Sequence, residues 1–83
     1  MHIAGVLVQT RPECVAAVRT QLAAIDGLEL HAANTDGRLV VTLEGDDRKH
    51  VADALVRIHA ADHVLSACLV YEQSESENTE ASP

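Results

Sequence analysis

Residues 3–9 are almost wholly aliphatic and rich in β-branching, the length of a strand and too short for a helix. From Val15 the period lengthens. Val15, Val18, Leu22 and Ile25 recur at steps of three and four, with Ala16, Ala17, Ala23 and Ala24 filling in, which predicts a helix stopped by Asp26 and Gly27. Thr10 and Glu13 have capping-box spacing, and Pro12 falls in the first turn, where its missing N–H costs nothing. LELHAAN (28–34) then alternates at its start, and RLVVTLE (38–44) returns beyond Asp36-Gly37. That dipeptide predicts a two-residue hairpin turn, whose positions must accept positive φ. After Gly45, Asp46 or Asp47 caps a second helix with the stripe Val51, Ala54, Leu55 and Ile58. Asp62 and His63 occupy the turn before a last strand over 64–72.

Strand, helix, strand, strand, helix, strand is two βαβ-type halves, whose crossovers are right-handed in almost all cases. The expected fold is α+β: a ferredoxin-like βαββαβ sandwich, with a four-stranded antiparallel sheet and both helices on one face. Residues 1–72 form the single domain. Residues 73–83, with Glu, Ser, Thr and Asn but no aliphatic periodicity, are expected to be a disordered acidic tail. The sheet's uncovered face is where function should lie.

A two-residue turn at Asp36-Gly37 sets Thr35 against Arg38, Ala33 against Val40, His31 against Thr42 and Glu29 against Glu44 on one side. Leu30 with Leu43 and Ala32 with Val41 make the oily side that faces the helices. Two carboxylates directly opposed, Glu29 and Glu44, are unfavourable with nothing between them. They read either as a clamp for a guanidinium, whose planar fork matches carboxylates, or as solvated strand ends screened by salt. The first and last strands, read as the central pair, are apolar on both sides. In the first, Ala4, Val6 and Val8 oppose Ile3, Gly5, Leu7 and Gln9; in the last, Leu65, Ala67, Leu69 and Tyr71 oppose Val64, Ser66, Cys68 and Val70. Gly5, Leu7, Ser66, Cys68 and Val70 are assigned to the open face, where small residues among aliphatics make a shallow trough for an apolar segment. Homodimerisation through the sheet is the competing use of that surface.

Composition narrows the partners. The 83 residues hold six basic and thirteen acidic side chains, a formal charge of −7 that repels phosphate backbones and anionic lipid. Tyr71 is the sole aromatic of the Phe, Trp and Tyr class, which argues against base stacking. A cationic partner fits instead. No leader pattern follows Met1 and no run approaches the roughly 18 apolar residues of a membrane span, so a cytoplasmic protein is expected. Cys14 and Cys68 are expected to be reduced, buried small hydrophobes. No nucleophile with its base, phosphate loop or paired carboxylates of raised pKa emerges, and the chain reads as a non-enzyme without cofactor. His59 and His63 are four apart, but the second helix should end between them, which leaves no metal site.

The stretches HIAGVLVQTRPE, IDGLELHAANTDGRLVVTLEGDD and VLSACLVYEQ, with the acidic run that follows, resemble the NapD family. The likeness covers nearly the whole chain to about residue 73. It implies a cytoplasmic, non-enzymatic chaperone that binds the twin-arginine (Tat) signal peptide of NapA, the catalytic subunit of periplasmic nitrate reductase. Export would be held back until the molybdenum cofactor is inserted. It also implies a peptide site on the sheet: Gly5, Leu7 and Gln9 in the first strand and Ser66, Cys68 and Val70 in the last, with Gly5 and Cys68 standing where the family pattern suggests serine. With Glu29, Val40, Thr42 and Glu44 from the hairpin, these are the expected peptide-binding residues. A weak homodimer is compatible with such a face. Two other readings share the architecture: a small-molecule regulatory domain of the ACT or Lrp-associated type, and a plain oligomerisation module.

Overall fold

The computed structural model describes residues 1–74. Strands β1 (His2–Thr10), β2 (Leu28–Ala33), β3 (Arg38–Gly45) and β4 (Val64–Ser74) alternate with helices α1 (Val15–Ala23) and α2 (Arg48–Ala60) in the order β1, α1, β2, β3, α2, β4. All pairings are antiparallel and the sheet runs β2-β3-β1-β4. The helices share one face, giving the α+β ferredoxin-like sandwich. The core forms between them: Ala4, Val6 and Val8 of β1 and Leu39, Val41 and Leu43 of β3 meet Val18 and Leu22 of α1 and Val51, Ala54 and Ile58 of α2. Five of these fully buried positions are valines and leucines on the two central strands, where alternation delivers every second side chain to the helices.

That strand order corrects the reading of β4 as central. It is an edge, and Leu65 and Val70 stay 63% and 65% exposed. Apolar residues on both sides of β4 therefore do not signal burial on both sides. The strand also runs to Ser74, two residues past its expected end, and the rest of the acidic tail lies outside the described residues.

The helix starts differ from each other. Asp47 caps α2 as expected, its Oδ1 accepting from the backbone N–H of His50 at 3.0 Å. The capping box at Thr10 does not form. A 3-10 turn, Pro12–Cys14, precedes α1, and Cys14 caps that helix without a side-chain bond. Thr10 still belongs to β1 and is buried, and its hydroxyl donates to the carbonyl of His63 at 2.6 Å, tying β1 to the turn before β4.

The β2–β3 hairpin uses three loop residues, Thr35, Asp36 and Gly37, where two were expected. The Gly37 N–H donates to the Asn34 carbonyl at 3.3 Å and the Asn34 N–H to that of Arg38 at 2.9 Å, while Asn34 Oδ1 accepts from the N–H groups of Asp36 and Arg38. Only Gly37 needs positive φ, at 98°, so Asp36 is spared the strain a two-residue turn would impose. The extra loop residue and a bulge at His31 shift the register: Glu29 pairs with Thr42, Leu30 with Val41, Ala32 with Val40 and Ala33 with Leu39. Glu29 and Glu44 are thus not directly opposed. Ala32 changes places with Ala33, standing opposite open-face Val40 while Ala33 stands opposite buried Leu39.

Candidate functional site

Residues paired across antiparallel strands share a face, so the registers resolve the uncovered side into rows from β4 through β1 and β3 to β2. One row reads Tyr71, Gly5, Thr42, Glu29; the next reads Cys68, Leu7, Val40, Ala32. They are flanked by Gln73, Ile3 and Glu44 at one end and by Ser66, Gln9 and Arg38 at the other. The centre is apolar and no other element among the described residues covers it, Val40 being 45% exposed. Of the expected site residues, Gly5, Leu7, Gln9, Glu29, Val40, Thr42, Glu44, Ser66 and Cys68 come together here. Val70 does not enter the pairing: it is the extra residue of a bulge between the Gly5 and Val6 registers.

That bulge also brings in a residue the alternation pattern had placed on the helix side. Past Val70 the parity of β4 reverses, and Tyr71 lies opposite Gly5 on the open face. Its ring fills the space a Cβ at Gly5 would take, so the glycine is buried beneath it and the shallow trough expected at that point is occupied by the ring. No periodicity signals such a bulge. A glycine facing the one aromatic residue of the chain was the available hint.

The following residue, Glu72, pairs with Ala4 and so lies on the helix side. His2 Nε2 donates to its Oε2 at 2.8 Å and Arg48 Nη2 lies 3.4 Å from its Oε1. The hydrogen bond from His2, reinforced by Arg48, holds the Glu72 carboxyl below the usual glutamate range. This link pins the distal half of β4 to β1 and to the start of α2.

Charge is distributed unevenly. Of the six basic residues only Arg38 stands on the open face; Arg19, Arg48, Lys49 and Arg57 belong to the helices and Arg11 to the loop after β1. Glu29 and Glu44 frame the Tyr71 end of the face. His31 joins them, its Nε2 2.8 Å from Thr42 Oγ1 and 3.8 Å from Glu29 Oε1. Neither cysteine is buried: Cys14 is half-buried, Cys68 is exposed on the open face, and both are free thiols. His59 and His63 do not share a helical face. The helix ends at Ala60, His63 adopts a φ of 73°, and His59 Nε2 bonds to the Ala67 carbonyl at 3.0 Å. No helix among the described residues is long and apolar enough to cross a membrane.

A family model described as NapD protein matches residues 1–76. Chaperone NapD of Haemophilus influenzae is 27% identical over 78 residues, covering 93% of this chain and 84% of that protein. Chaperone NapD of Escherichia coli K12 is 28% identical over 80 residues, covering 95% and 92%. Among solved structures, the solution structure of the E. coli Tat proofreading chaperone protein NapD matches with a TM-score of 0.80 at 28% identity, over 90% of this chain and 80% of that one.

Proposed function

The chain belongs to the NapD family, a family of chaperones, and on that premise we propose that it binds the twin-arginine signal peptide of NapA in the cytoplasm. The peptide lies on the open sheet face and export waits until cofactor insertion and folding are complete. The observation that carries this reading is the composition of that face: an uncovered apolar centre, Leu7 and Val40, beside two carboxylates, Glu29 and Glu44, with the basic side chains largely elsewhere. A twin-arginine signal joins two guanidinium groups to an apolar stretch. Each part meets its complement, and capture of the arginines hides them from the export machinery. The similar E. coli protein is a Tat proofreading chaperone, which agrees with this role. Leu7, Gln9, Val40, Thr42, Ser66, Cys68 and Val70 are proposed to contact the peptide, while Gly5, buried beneath Tyr71, contributes by seating that ring.

Titration calorimetry with a synthetic twin-arginine signal peptide tests it. Saturable binding should appear, and changing both peptide arginines to Gln should weaken it by about tenfold or more, since hydrogen bonds to charged groups contribute roughly 1.5 to 3 kcal/mol each. Equal affinity of the two peptides, or none for either, defeats the proposal.

A further inference from the structure

Resting on that docking reading, we propose that Tyr71 is the platform on which an arginine of the bound peptide stacks, and that it gives the protein its preference for arginine over lysine. Three observations converge. The bulge at Val70 turns the ring onto the open face, where it packs down on Gly5 and still remains 47% exposed. One ring face is therefore backed by β1 and the other is available. Carboxylates stand further along the same face: Thr42 separates Gly5 from Glu29 in the same row, and Glu44, two residues along β3, is a diagonal neighbour of Gly5, a spacing of about 7 to 8 Å that a long side chain stacked on the ring can span. The platform is also held from behind, because Glu72 is bonded to His2 and Arg48 on the opposite side of the sheet, which limits twisting of the strand at Tyr71.

An aromatic face beside carboxylates suits a guanidinium more closely than an ammonium. The planar group stacks on the ring while its edge N–H groups point outward to acceptors, whereas an ammonium is a compact and strongly hydrated point charge. A lysine peptide keeps the general attraction of the acidic face but not the stacking.

Tyr71 is the only residue of the Phe, Trp and Tyr class in the chain, so tyrosine fluorescence reports this one position. The experiment titrates the full chain with a twin-arginine signal peptide lacking Tyr and Trp, and with its Lys-Lys counterpart. The Arg peptide should bind more tightly and change the emission. With affinities of the variants read by titration calorimetry, since they lack the tyrosine fluorophore, Tyr71→Leu should shrink the Arg-to-Lys affinity ratio by about threefold to tenfold, the scale of a partly desolvated cation–π contact, and Tyr71→Phe, which retains the ring, should restore most of it. Far-UV circular dichroism confirms that each variant is folded. If wild type binds the Arg peptide but Tyr71→Leu has the same Arg-to-Lys ratio, the platform is refuted while docking stands. If wild type binds neither peptide, the docking reading fails and the platform with it.

Discussion

Gly37 makes the strictest demand of any single position in the hairpin. Its φ of 98° and its approach to the Thr10 carbonyl, where a Cβ would overlap, exclude a side chain on two independent grounds. Gly37→Ala should therefore destabilise the fold by about 1 to 3 kcal/mol, measured as a lower urea midpoint with an unchanged slope; no loss would show that the turn relaxes freely. At Glu72 the demand is for charge. Its folded pKa is held below that of the unfolded chain, so its contribution is complete above the unfolded value of about 4.3 and is lost as pH falls through the folded value. Urea midpoints followed from about pH 6 to about pH 3 should drop less steeply in Glu72→Gln than in the parent. Parallel curves would mean that the link to His2 and Arg48 is energetically silent. Asp47, lowered first by the backbone N–H of His50, adds a contribution of the same sign.

At the scale of elements, helix α2 was the most legible part of the chain. Asp47 caps it, Val51, Ala54 and Ile58 are buried, and Leu55 packs against the core. Its period of three and four has one interpretation, and tertiary contacts agree with it. Leu39 on β3 was equally legible from alternation, and Leu39→Ala, at a fully buried position, should cost about 2 to 5 kcal/mol by denaturant unfolding; a loss under about 1 kcal/mol would place it outside the core. Pairing was harder to read than faces. Alternation alone placed Val40, Thr42 and Glu44 on the open side, but opposing partners depend on loop length and bulges, and the three-residue turn and the bulge at His31 separated Glu29 from Glu44. The same cause hid Tyr71: β4 contains two irregularities, at Val70 and Leu65, and one extra residue reverses every side chain beyond it. Edge position was missed because an exposed apolar strand and a buried one look alike in a short run. Periodicity alone reaches an apolar open face around Leu7 and Cys68 suited to an apolar segment; the resemblance to a known family adds the identity of the proposed occupant.

At the scale of the molecule, a single layer of helices against four strands leaves one broad surface that none of the described residues covers, on a protein whose net charge is −7. Long-range attraction should speed encounter with a cationic peptide, and it is screened beyond about 10 Å at 0.1 M salt. The association rate should thus fall as salt is raised, with dissociation changing less; a rate insensitive to salt would remove electrostatic steering. The most direct test of where the peptide lies is amide chemical-shift mapping, with isotope-labelled protein titrated with the twin-arginine signal peptide. Perturbations should concentrate on Gly5, Leu7, Val40, Thr42, Cys68 and Tyr71, across three strands of the open face. Shifts confined to α1 and α2, with the sheet unmoved, would contradict docking on that face.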